Sequence, residues 1–133
     1  MAMREKDQAN GEPIKLLLVD DEESFVDVLA NRLGRRNIDV TKAYSGSEAI
    51  QILRRQDFDV AVLDLKMEDI DGIEVLGIFK KMVPKMAVIM LTGHGSERAA
   101  RHGMEQGAFD YLMKPCELDE LLTKIRQAVK QRG

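Results

Sequence analysis

A chain of 133 residues, 44% apolar and 32% charged, is long enough for one domain with a real hydrophobic core. A net charge of -3 without a basic stripe gives no reason to expect nucleic-acid binding, and no apolar run reaches membrane-spanning length. The single cysteine, Cys116, rules out an internal disulfide and fits a reducing, cytoplasmic setting.

Residues 1–12, MAMREKDQANGE, lack the apolar stretch of a secretory signal and read as a solvated tail, which leaves residues 13–133 as the domain. The first strand is predicted at IKLLLV (14–19), followed by a helix whose Phe25, Val28, Leu29 and Leu33 share one face. IDVTKAY (38–44) is mixed in character, as an edge strand would be, and Ser45 or Ser47 is placed to cap a helix carrying Ala49, Ile50 and Leu53. FDVAVLDL (58–65) is a nearly continuous apolar strand, and Asp69, Asp71 and Gly72 shape the entry to a helix with Ile73, Leu76 and Phe79. MAVIMLT (86–92) is another buried-type strand. The helix after it, from Ser96 to about Gln106, has only Ala99, Ala100 and Met104 around an internal Gly103, so it is expected to dock loosely. DYLMK (110–114) is a short strand, and Leu118, Leu121, Leu122, Ile125 and Val129 form the stripe of the last helix. Strand and helix thus alternate throughout, which predicts an α/β fold with a parallel sheet covered on both faces.

In such a sheet ligands gather at the carboxyl ends of the strands. Strand one ends in Asp20 and Asp21, strand three in Asp64, strand four in Thr92 with Gly93 behind it, and strand five in Lys114 before Pro115. Two adjacent carboxylates about 4 Å apart repel by roughly 4 kcal/mol at an intermediate dielectric, so a cation is called for. Clustered carboxylates without His or Cys suit a hard ion such as Mg²⁺. Singly, these residues have blander readings: Asp20 and Asp21, like Glu22 and Glu23, suit a helix entrance, and Tyr111 reads as packing. His94 and His102 read as surface residues, Cys116 as packing, and the eight methionines as core filler.

In order and together, DD, the lone Asp64, T-G and K-P resemble the receiver domain of bacterial two-component response regulators. The segments VLDLKMEDIDGIEVL, LTGHG and GAFDYLMKP are especially similar to that family, and the resemblance runs from about Pro13 to Arg132. It implies a flavodoxin-like (βα)5 three-layer sandwich with strand order 2-1-3-4-5, an order for which a member of this family is a standard example.

The resemblance further implies that Asp64 accepts a phosphoryl group from a phosphohistidine. Asp20, Asp21, Asp64 and the main-chain carbonyl of Lys66 would hold Mg²⁺ or Mn²⁺, Asp20 largely through water. Thr92 and Lys114 would contact the phosphoryl group, and Thr92 and Tyr111 would carry the switch to the surface of helix four, strand five and helix five. The Lys114–Pro115 bond would be cis. The domain would be a phosphoacceptor switch that assists its own phosphorylation and dephosphorylation, and not a turnover enzyme. The expected partners are a sensor histidine kinase or phosphotransfer protein and an output domain or downstream protein, with homodimerisation on activation. LTGHG and KPCELDELL resemble receivers attached to transcriptional activators, and no output segment follows Arg132, so a stand-alone receiver or a piece of a longer regulator is expected. In one respect the chain departs from the family: the common Met-Pro pair after the phosphoacceptor is Met67-Glu68 here, which makes Glu68, with Lys66 and His94, a candidate for tuning metal affinity or phosphoryl lifetime.

Three rival readings fare differently. A flavin or nucleotide module needs an amide-rich anion loop after strand one, where DDEES repels phosphate. A haloacid-dehalogenase-like phosphatase needs a second Asp where Lys66 stands. A pseudo-receiver, binding partners without phosphorylation, keeps the fold and leaves the acids idle.

Overall fold

The computed structural model describes residues 12–93 and 97–132. Among these, strands and helices alternate: β1 Ile14–Val19, α1 Glu23–Gly34, β2 Ile38–Ala43, α2 Gly46–Leu53, β3 Val60–Asp64, α3 Gly72–Met82, β4 Ala87–Thr92, α4 Glu97–Glu105, β5 Asp110–Met113 and α5 Leu118–Arg132. Neighbouring strands all pair in parallel, in the order β2-β1-β3-β4-β5. The expected flavodoxin-like three-layer sandwich is present. The expected tail, apart from Glu12, and the expected helix start at Ser96 lie outside the described residues, as does His94.

Alternation along the strands builds the layers. Leu16, Leu18, Val60, Val62, Ile89 and Leu91 face α1 and α5, meeting Val26, Leu29, Leu33, Leu122 and Ile125. Leu17, Val19, Ala61, Leu63, Val88 and Met90 face α2, α3 and α4, meeting Leu53, Leu76, Phe79 and Ala100. With both faces covered, β3 and β4 are buried along their whole length, which is why their sequences show no polar alternation. The edge strands β2 and β5 carry mixed burial.

Local chemistry corrects some expectations. The inward stripe of α1 is Val26, Leu29 and Leu33, while Val28 is 60% exposed. The sequence spacing fits two overlapping stripes on α1, and contact with β1 and β2 selects the one through Val26. Ser45 is the cap of α2, accepting a hydrogen bond from the Glu48 amide at 3.1 Å. Asp71 caps α3 through the Ile73 amide at 3.0 Å. Asp69, by contrast, reaches back to α2, where it accepts from the Gly46 and Ser47 amides and the Ser47 hydroxyl at 3.1, 2.9 and 2.9 Å. Gly72 brings the start of α3 against the end of β3: its amide donates to Leu65 O at 3.1 Å, and a Cβ there would stand 2.5 Å from Leu65 Cα. In α4, Ala100 and Gly103 face inward and Met104 outward, and the bare Gly103 lets the helix settle onto the Met90 side chain.

Candidate functional site

Parallel strands end on one edge of the sheet, so residues distant in sequence meet there. Asp64 closes β3 and Thr92 closes β4, while Asp20 and Asp21 follow β1 and Lys114 follows β5. Because β1 and β3 are neighbours, Asp20, Asp21 and Asp64 each place a carboxylate oxygen within 4.8 Å of the others. Asp20 and Asp64 are buried at 1% and 5% exposure, and Asp21 is half-buried.

Only Lys114 answers this charge directly among the described ion pairs. Its Nζ donates to Asp20 Oδ2 at 2.8 Å and lies 3.9 Å from Asp64 Oδ1 and 4.0 Å from Glu22 Oε1. The ammonium also stands 4.4 Å over the centre of the Phe25 ring, whose π face favours a cation there. The Lys114–Pro115 peptide is cis, as the resemblance implied. Burial, followed by the charge of Asp20, pushes the Asp64 carboxyl up to about 6, against the opposing pull of Lys114 and of the Lys66 amide. At Lys114 burial disfavours the charge, but the hydrogen bond to Asp20 and the charge of Asp64 outweigh it and raise the pKa. Three carboxylates thus share one ammonium, and the excess negative charge sits on hard oxygen donors. That donor set fits a divalent ion of the Mg²⁺ type.

Backbone amides hold the acids in place. Asp20 Oδ1 accepts from the Glu22 amide at 3.0 Å, and Asp21 Oδ2 accepts from the Glu68 amide at 3.0 Å. A proline at position 68 would have no N–H to give, so the departure from Met-Pro creates this second bond. The Lys66 side chain is exposed, and its amide donates to Asp64.

Thr92 is fully buried, and its hydroxyl donates to Met113 Sδ at 3.0 Å. It continues the alternation of Val88 and Met90, toward α4, whereas Asp64 continues that of Val60 and Val62, toward α1 and α5. The acids and Lys114 are therefore assembled, and the Thr92 hydroxyl is turned elsewhere. Tyr111 is half-buried against the α4 side of the core. Sequence reasoning missed Phe25 as the wall beneath Lys114, Asp69 as the tie to α2, and Met113 as the partner of Thr92. Only Met113 left a signal, since β4 and β5 run parallel and end together.

The sequence profile of the response regulator receiver domain matches residues 16–126. The chain belongs to this family. Among curated proteins, this receiver domain is 38% identical over 119 residues to the transcriptional regulatory protein GlrR of Escherichia coli K12, covering 90% of the chain and 27% of GlrR. It is 32% identical over 126 residues to the probable transcriptional regulatory protein TcrX of Mycobacterium tuberculosis, covering 95% of the chain and 54% of TcrX. The chain therefore spans between about a quarter and a half of these relatives' length. Its structure is similar to a response regulator receiver domain protein from Clostridium thermocellum, with a TM-score of 0.87, 35% identity and coverage of 90% and 96% of the two chains. A CheY-like receiver domain protein from Methanospirillum hungatei JF-1 gives the same TM-score of 0.87 at 29% identity, covering 91% and 97%. As a receiver domain, the chain is a component of two-component signalling, and no helix among its described residues is long and apolar enough to cross a membrane.

Proposed function

We propose that this receiver domain takes a phosphoryl group onto Asp64 from the phosphohistidine of a sensor kinase or phosphotransfer protein. The observation that carries the reading is the trio of Asp20, Asp21 and Asp64 within 4.8 Å, with Lys114 bonded to Asp20. An Asp64 oxygen attacks phosphorus, the P–N bond breaks, and its electron pair returns to the imidazole. Asp20, Asp21, Asp64 and the Lys66 carbonyl are the groups to hold Mg²⁺ or Mn²⁺. Such an ion supplies neutralisation of the charge shared by the carboxylates and the phosphoryl oxygens. Lys114 offers a point charge on the other side.

The Thr92 hydroxyl turns to donate to a phosphoryl oxygen, and Tyr111 follows it, which re-presents the α4–β5–α5 surface. Water attacking the acyl phosphate resets the switch, so the domain acts on itself and not on a stream of substrate. The regulatory names of its relatives support an output in transcriptional control, through an attached domain or a separate protein in the cytoplasm.

The test is intact mass after incubation with acetyl phosphate and Mg²⁺, beside an Asp64→Asn control. One added phosphoryl group, absent in the control and absent without the metal, is the expected result. No adduct in the wild-type protein under any of these conditions would favour a pseudo-receiver that works by docking alone.

A further inference from the structure

We infer that Met113 is a positioning residue for the proposed phosphoryl transfer: its thioether holds the Thr92 hydroxyl away from Asp64 and sets how readily the domain enters its loaded state. The inference rests on the phosphoacceptor reading and adds to it a residue that supplies no group to the phosphoryl site.

A hydroxyl has a single O–H to donate, and that of Thr92 goes to Met113 Sδ at 3.0 Å. While that bond is made, Thr92 cannot donate to a phosphoryl oxygen on Asp64. The pairing follows from register, since Thr92 and Met113 are partners across the β4–β5 ladder and project to the same face. Tyr111 lies two residues back on that face of β5. The main chain at Thr92 is also fixed, because its carbonyl accepts the Lys114 amide at 2.7 Å. The hydroxyl therefore changes partner by rotation of the side chain, with the strand end held.

The choice of atom matters. Thr92 is fully buried, so water does not replace a lost acceptor. Sulfur is a weak acceptor, strong enough to satisfy a buried hydroxyl and weak enough to yield it to a charged phosphoryl oxygen. Removing it raises the free energy of the resting arrangement alone, and a ligand that selects the other arrangement then binds more tightly. A better acceptor at the same place does the reverse.

The experiment measures the affinity of the full chain for beryllofluoride, a phosphoryl mimic, in saturating Mg²⁺. Met113→Leu keeps the volume and removes the acceptor, whereas Met113→Gln supplies an amide oxygen at similar reach. Relative to wild type, Met113→Leu is expected to bind about fivefold more tightly and Met113→Gln about fivefold more weakly. In a Thr92→Val background, which keeps the shape of the side chain without its hydroxyl, both differences should vanish. The Thr92 methyl resonance of the ligand-free protein should also shift in Met113→Leu toward its beryllofluoride-bound position. A merely structural role for Met113 would move affinity in the same direction for both substitutions and survive in the Thr92→Val background. That result, or equal affinities throughout, overturns the inference. If wild type itself binds no beryllofluoride and gains no phosphoryl mass, the underlying phosphoacceptor reading fails first, and the role of Met113 falls with it.

Discussion

Asp64, the proposed phosphoacceptor, sits where burial disfavours its charge. Its carboxyl is pushed up from 3.8 to about 6 by burial and by Asp20, so the folded state holds a proton that the unfolded chain releases. Stability linked to this group is present below the unfolded value and is lost as pH rises through the interval from about 4 to 6. Asp21 adds to that loss, while Lys114 and the Lys66 amide reduce it. Asp64→Asn should therefore raise the melting temperature of the metal-free protein at neutral pH and flatten its pH dependence over that interval. It should also abolish most of the stabilisation that Mg²⁺ gives the wild type. A thermal melt series with and without Mg²⁺ checks both parts. Glu68 makes a second test. Glu68→Pro deletes the amide that holds Asp21, and Glu68→Gln keeps it. Calorimetric titration should show Mg²⁺ affinity reduced by a factor of about 2–10 in the proline variant and near wild type in the glutamine variant. These acids were legible in the sequence because each ends or follows an apolar strand. The ties that aim them were not, since an amide from Glu68 or a ring from Phe25 depends on loop paths that no local pattern encodes.

Among the elements, the β3–α3 connection is fastened at both ends. Asp69 binds the N-terminus of α2, and the Ser47 amide, helped by the Ser47 hydroxyl and the Gly46 amide, holds its carboxyl down at about 2. The stability this supplies is present above the ordinary carboxylate value and is lost as pH falls from about 4 toward 2. Asp69→Asn should lower the melting temperature near neutral pH, with the difference from wild type closing as pH falls from about 4 toward 2, by circular dichroism. Gly72 closes the other end. A Cβ there would stand 2.5 Å from Leu65 Cα and 2.7 Å from Asp64 O, both main-chain atoms that cannot step aside. Gly72→Ala should cost about 2 kcal/mol in urea unfolding, and the displaced Asp64 should accept phosphate more slowly from acetyl phosphate. The apolar periods of these helices could be read in advance. Val28 is placed wrongly by the sequence reading, because Phe25, Val28, Leu29 and Leu33 make as good a stripe as Val26, Leu29 and Leu33 until the sheet is in place.

In the whole molecule, strand order does what no single motif can. Placing β1 beside β3 brings Asp20 and Asp21 to Asp64, while β4 and β5, on the other side of β3, deliver Thr92 and Lys114 to the same edge. The alternation of strands and helices revealed the parallel sheet, and the polar strand ends revealed its working edge. Neither revealed that Thr92 faces the α4 layer while Asp64 faces α1 and α5, since that follows from the parity of each residue within its own strand. Lys114 and Asp20 are 94 positions apart and 2.8 Å from each other. A chain still lacking β5 lacks the only counter-charge that Asp20 meets among the described residues, and one in which β1 has not paired with β3 has no trio of carboxylates. Whatever binds at this edge consequently inspects the molecule before using it. On the proposed reading, a nascent or half-unfolded copy would offer no docking point for the cation or the phosphoryl donor. The geometry of this edge would thus serve as a check that the chain is fully folded, since Asp20, Asp21, Asp64 and Lys114 meet only when β1, β3 and β5 are all in place.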